Sequence, residues 1–158
     1  MKDLTAGQKA AATSVKLTGT LSTRGNSDIR QLRDLCWQLK HVDLSTANCP
    51  TLPANAFHSR HRLVSVVLPA NLKSIGTQAF FACDALKQLT LPATLEEVGA
   101  AAFSGCSSLE SITIEGAPRL GGFAFRGCNN LRSIKLLSKV PPQCDAVSYT
   151  HLTLPTNS

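Results

Sequence analysis

Aromatic side chains are scarce in this 158-residue chain, which has six Phe, one Trp and one Tyr. Charge is also sparse, at 16% Asp, Glu, Lys and Arg against 43% apolar residues, so the chain is neither a disordered tail nor a polyelectrolyte. No run reaches the roughly 18 consecutive apolar residues that a membrane-spanning helix needs. The opening Met1-Lys2-Asp3-Leu4-Thr5 leads into Gly7-Gln8-Lys9 and lacks the apolar segment of a secretory signal. It reads either as the start of a cytosolic protein or as a sequence whose true N-terminus is missing.

The chemistry-bearing motifs are missing as well. There is no Cys-x-x-Cys pair, so neither a structural zinc site nor a redox dithiol is supported. No Ser/His/Asp order, phosphate-cradling glycine loop or carboxylate pair has catalytic spacing. His58 and His61 are three residues apart, but Arg60 and Arg62 beside them would repel a cation, which favours a solvated turn. Glu96 and Glu97 read as surface charges. The sequence therefore predicts no catalytic residue, no cofactor and no metal. The net charge of +6 is uneven: residues 1–63 hold nine Lys/Arg and four Asp/Glu, residues 64–158 seven and six. No basic run is dense enough, or interleaved with enough aromatics, to predict a nucleic-acid partner.

What the chain does have is a repeat. Leu63-x-x-Val66-x-Leu68-Pro69-x-x-Leu72-x-x-Ile75-Gly76-x-x-Ala79-Phe80-x-x-Cys83 recurs 23 residues later from Leu86 to Cys106. A third unit opens at Leu109-x-x-Ile112-x-Ile114, loses one residue near Glu115–Arg119, and resumes at Leu120-Gly121, Ala124-Phe125 and Cys128. Leu131-x-x-Ile134-x-Leu136 begins a fourth. Backward, Leu39-x-x-Val42-x-Leu44 and Leu52-Pro53-x-x-Ala56-Phe57 fit, with Pro53 in place of Gly and Arg60 in place of Cys. Val15–Leu17 resembles one more, divergent strand. Between them Ile29, Leu32, Leu35 and Trp37 follow Ser27 or Asp28, either of which can cap a short helix.

Each repeated residue has a physical reason. Leu-x-x-Leu-x-Leu is a short strand with alternate residues pointing inward. Proline after it has no N–H for a ladder and ends the pairing. Gly76, Gly99 and Gly121 mark positive φ or close backbone approach. The Ala-Phe pair suits a tight turn or short helix on the outer face. A single unit cannot bury its apolar face alone, so the units must stack. Six strands, at 15–17, 42–44, 66–68, 89–91, 112–114 and 134–136, are predicted to form a parallel sheet.

Six cysteines stand at 36, 49, 83, 106, 128 and 144. Cys83, Cys106 and Cys128 occupy one repeated position, so their side chains run parallel and do not converge as a disulfide requires. They read as small buried thiols meeting loop carbonyls. Cys36 and Cys49 remain an alternative disulfide pair.

The stretch from Leu68 to Leu86, and again from Leu91 to Leu109, resembles the BspA-like class of leucine-rich repeats, whose signature is LPxxLxxIGxxAFxxCxxL. The resemblance covers about 39–140. It implies an α/β-type repeat fold: a leucine-rich repeat solenoid with a parallel sheet of short strands and irregular or short helical outer turns. Residues 1–38 then form a divergent repeat and cap, 39–140 the repeats, and 141–158 an irregular tail, of which 147–158 resembles a translated adaptor. The family's members are mainly secreted or surface-attached and are implicated in adhesion, so the resemblance implies a non-catalytic protein-binding module cut from a longer bacterial protein. Its partner would be a host or bacterial surface protein. Spacer repeats carrying another domain, or an accessory domain of a larger enzyme, are the alternatives. The candidate ligand face is the outward strand row of His41, Asp43, Ser65, Val67, Gln88, Thr90, Ser111, Thr113, Ser133 and Lys135. It is polar, small and poor in the residues that dominate tight interfaces.

Overall fold

In the computed structural model, which describes residues 6–22 and 28–145, the chain winds as a parallel-strand β-solenoid of about five turns. In chain order come α1 (Ala6–Ala11), β1 (Ser14–Lys16), β2 (Gly19–Thr20), α2 (Asp28–Leu35), β3 (His41–Asp43), β4 (Ala47–Asn48) and β5 (Thr51–Leu52). They are followed by β6 (Ser65–Val67), β7 (Ser74–Ile75), β8 (Gln88–Leu91), β9 (Glu97–Val98), β10 (Ser111–Ile114), β11 (Arg119–Leu120), β12 (Ser133–Leu136) and β13 (Gln143–Cys144). The six strands read from the repeat are present, each starting within a residue of the predicted position.

Two features differ from the sequence expectation. The six strands do not make one continuous ladder: β1-β3-β6 and β8-β10-β12 are separate three-stranded sheets lying side by side. A second parallel sheet, β5-β7-β9-β11-β13, runs along another side of the coil. Its strands are two residues long, with Leu52, Ile75, Val98 and Leu120 turned inward. Two residues are too few to show an alternation in sequence, although the inward Ile75 and Val98 are themselves repeat positions.

The outer segments are turns, and helix is confined to α1 and α2 among the described residues. The turns interlock along the solenoid axis. The N–H groups of Asn55, Phe57 and Ser59 donate to the carbonyls of Thr77, Ala79 and Phe81 at 3.0, 2.6 and 2.8 Å. Gln78, Phe80 and Ala82 do the same to Ala100, Ala102 and Ser104, and Ala101, Phe103 and Gly105 to Gly122, Ala124 and Arg126. Such a turn needs left-handed residues that aim alternate amides to one side. They occur at two repeated positions: Asn55, Gln78, Ala101 and Phe123 at the first, Ser59, Ala82, Gly105 and Gly127 at the second.

The recurring Gly of the units, Gly76, Gly99 and Gly121, is not at either of these places. A Cβ on Gly99 would sit 2.5 Å from Thr77 N and 2.7 Å from Gly76 C, so close backbone approach is the reason for glycine there. Pro53 fills the equivalent position in the first coil of this kind. Inside, Phe57, Phe80, Phe103 and Phe125 form a continuous stack, with ring centroids 5.4, 5.3 and 5.3 Å apart.

The N-terminal segment closes the core with Ile29 and Leu32, both fully buried, while Leu35 and Trp37 stay 40% and 55% exposed. Asp28 begins α2 and its carboxylate accepts from Ser22 N at 2.9 Å; Ser27 lies outside the described residues. Arg60, the residue in the cysteine position, donates from Nη1 to Arg33 O in the last turn of α2 at 2.9 Å. Arg33 in return donates to Asn55 O at 2.8 Å. The repeat breaks here because the neighbour on that side is the C-terminal end of a helix, whose carbonyls attract cations.

These contacts set a graded mutational response in urea melts. Phe103→Ala should cost about 3–5 kcal/mol as a cavity in the ring stack. Gly99→Ala should cost about 1–3 kcal/mol by forcing two coils apart. Thr90→Ala, on the exposed face, should stay within about 0.5 kcal/mol. Ala82→Gly should stabilise by up to about 1 kcal/mol, because it relieves a left-handed alanine where the next coils already use glycine. A destabilising Ala82→Gly together with a harmless Gly99→Ala would contradict the assignment of the two positions.

Candidate functional site: the strand face and its cleft

The ten outward residues predicted as a ligand face lie on the same side of the strands in two rows. Register pairs His41 with Ser65 and Asp43 with Val67 in one sheet. In the other it pairs Gln88, Ser111 and Ser133, and Thr90, Thr113 and Lys135. Alternation fixes this: their neighbours Val42, Val66, Leu89, Ile112 and Ile134 are buried. Among the ten, Val67 is a large apolar side chain left 50% exposed.

Local ties hold one end of the rows. His41 Nδ1 and Ser65 Oγ share a hydrogen bond of 2.8 Å. Asp43 accepts from Ser45 N at 2.8 Å and pairs with Lys16 Nζ at 3.1 Å. Hydrogen bonds from Ser45, with Lys16 adding to them, hold the Asp43 carboxyl down at about 2.

Between the two sheets the face opens into a cleft of about 350 Å³. Val67, Ala70 and Pro92 bring apolar side chains to it, the core residues Val66, Leu68 and Leu89 line it from beneath, and Ser45, Gln88, Thr90 and Glu115 are its polar parts. Chain chemistry explains part of the opening. Between β8 and β10, Glu115 N–H donates to Leu91 O at 3.0 Å. One period earlier the donor to Leu68 O would be Pro92, which has no N–H. At the other end, the bond from Lys87 N to Val64 O stretches to 3.5 Å. The sequence displayed that proline, but as a repeat feature, with nothing to show which strand pair it would part.

The thiols sit away from this face. Cys83, Cys106 and Cys128 are buried and each donates its S–H to the carbonyl of the preceding coil's phenylalanine, Phe57, Phe80 and Phe103, at 3.1 Å. This is the inward ladder expected from their spacing. Cys36 falls at the same position one coil earlier, a rung hidden in the sequence by the irregular segment before it. Cys36 and Cys49 both stand as buried thiols, not as a disulfide. Burial pushes the Cys83 thiol up to about 12. The neighbouring Cys128 thiol, then burial, pushes Cys106 up, while the neighbouring Cys106 holds Cys128 down.

His58 and His61 separate: His58 stacks on Phe81 with centroids 5.0 Å apart, and His61 Nδ1 meets Asp84 at 2.7 Å. No group of three or more His, Cys, Asp or Glu among the described residues is placed to hold a metal ion. No helix among them is long and apolar enough to cross a membrane. The tail at 147–158 lies outside the described residues.

A coil built from parallel strands, a leucine-type strand signature and a cysteine–phenylalanine ladder defines a leucine-rich repeat solenoid. The chain belongs to the family of the BspA type leucine rich repeat region, whose pattern matches residues 35–153 in six copies. Among solved structures it is similar to a leucine-rich repeat protein from Bacteroides ovatus, with 33% identity, a TM-score of 0.55, and coverage of 63% of this chain and 26% of that one. It is also similar to the T. pallidum leucine-rich repeat protein TpLRR, with 26% identity, a TM-score of 0.67, and coverage of 85% and 61%. The pneumococcal vaccine antigen PcpA shares the fold at 23% identity and a TM-score of 0.61, over 82% of this chain and 31% of that one. The chain thus spans less than two thirds of the length of each of these. No curated protein matches its sequence.

Two measurements test the local chemistry. Native alkylation at pH 8 should modify exposed Cys144 first, Cys128 next, and Cys83 and Cys106 last; labelling of Cys83 at the rate of Cys144 would break the ladder. The depressed Asp43 carboxyl should remain ionised at pH 3. Its tie to Ser45 and Lys16 is fully present above the ordinary carboxylate range near 3.9 and is lost only as pH falls through about 2. A side-chain NMR titration with a midpoint near 4 would refute this.

Proposed function

We propose that this chain is a non-catalytic protein-binding module of a bacterial surface or secreted protein, acting in adhesion through its strand face. The observation that carries the reading is the two-row face itself: open, in register, built of short polar side chains, and opened in the middle by a cleft beside Val67. A face of this kind suits a broad protein contact better than a small enclosed substrate. Family membership supports interaction as the task, since leucine-rich repeat domains typically bind proteins. The BspA type repeat, a type of bacterial cell-surface proteins, supports an exposed location. Residues 39–140 would supply the binding array and 1–38 its cap. Because the face lacks Trp, Tyr and Arg, each contact should be weak and avidity from further repeats should matter.

The test compares two faces. Thr90→Arg combined with Thr113→Arg alters the strand rows; Lys73→Glu combined with Glu96→Lys alters the second sheet, whose pair is 3.0 Å apart. Both proteins are assayed for binding to immobilised extracellular-matrix proteins and to whole bacterial cells. The strand-face variant should lose binding about tenfold or more while the other retains it. Equal loss in both, or loss only in the second, would reject the strand face as the binding surface.

A further inference from the structure

The interrupted ladder gives the strand face a built recognition element, and the geometry points to its occupant: an extended peptide segment of a partner that places an apolar side chain between β6 and β8, next to a lysine or arginine. This rests on the strand face being the binding surface and specifies the chemistry that it selects. Three observations converge on it. The cleft holds about 350 Å³, at the low end of volumes that seat ligands, and suits one or two side chains better than a larger molecule. Its lining is partly apolar, and Val67, half exposed at its lip, with Ala70 and Pro92 offers area that is removed from water on docking. Its polar lining includes two acceptors, the Glu115 carboxylate and the Leu68 carbonyl, where a peptide brings donors. Pro92 leaves Leu68 C=O without a ladder donor, and Leu68 and Pro92 both line the cleft.

Charge selects the neighbouring residue of the peptide. Glu115 is the charged residue among those lining the cleft. Asp43, in the next strand row, is already tied to Lys16 and Ser45. A cation adjacent to the apolar anchor would meet Glu115, whereas an acidic residue would meet a like charge. The peptide N–H groups supply the donor that proline removed. The cleft therefore reads an apolar–basic pair and not a general hydrophobic surface.

The experiment uses the whole chain, labelled with ¹⁵N, and two probes: acetyl-Leu-Lys-amide and acetyl-Leu-Glu-amide. The lysine probe should shift amides of Val67, Leu68, Gln88, Thr90 and Glu115, and should bind about two- to fivefold more tightly than the glutamate probe, the scale of one exposed ion pair. Glu115→Gln should bring the two probes within a factor of about 1.5. Ala70→Phe, at an exposed wall position, should fill the cleft and abolish the shifts, with an unchanged melting curve showing that the fold is intact. Shifts spread over the second sheet, or a glutamate probe that binds as well as lysine to the wild type, would overturn the proposal. If neither probe binds while Thr90→Arg with Thr113→Arg still abolishes adhesion, the cleft proposal fails and the strand face stands.

Discussion

Each outer turn donates a set of backbone N–H groups to carbonyls of the next turn, and the rest of the solenoid depends on that handover. It fixes the spacing of the coils, because a peptide hydrogen bond tolerates only a few tenths of an ångström. With the spacing fixed, every side chain must meet its equivalent in the next coil. The phenylalanines then have to stack, the thiols have to find the preceding carbonyl, and the glycines have to admit the backbone above them. The left-handed residues follow from the same demand. The repeat in the sequence is the one-dimensional image of this contact.

Much of the fold was legible for that reason. Leu89, Leu91, Val98, Phe103 and Cys106 recur because their environments recur, and periodicity alone revealed the six strands, the inward phenylalanines and the parallel thiols. What stayed hidden lacked either length or repetition. The two-residue strands β7, β9 and β11 are too short to print an alternation. Arg60 looked like a lost cysteine, and only the helix beside it shows why a guanidinium belongs there. Ile29, Leu32, Leu35 and Trp37 read alike in the sequence, yet only Ile29 and Leu32 of the four are buried.

The strand face shows the same division. Which residues point outward follows from counting, and the ten predicted positions are where the alternation puts them. The cleft does not follow from counting, because Pro69 and Pro92 occupy the same position in successive units. After β3 and β6 the first proline is tolerated: Leu44 O finds another donor in Ala47 N at 2.9 Å. No such local turn replaces the donor that Pro92 withholds from Leu68. A repeat thus becomes specific where one copy of a shared residue is compensated and another is not.

The interrupted ladder also bears on how the molecule responds to force. The bonds between coils run along the solenoid axis, so tension applied to the two ends loads the coil interfaces in series, like links of a chain. At the junction of β6 with β8 no strand ladder spans the gap among the described residues, so the load there falls on the pairing of β7 with β9 and on the outer-turn bonds from Gln78, Phe80 and Ala82. Each coil that peels away would release about 23 residues, roughly 75–80 Å of extended chain. Under tension the array would therefore pay out length in steps of one coil, with the second sheet and the outer turns bearing the load beside the cleft.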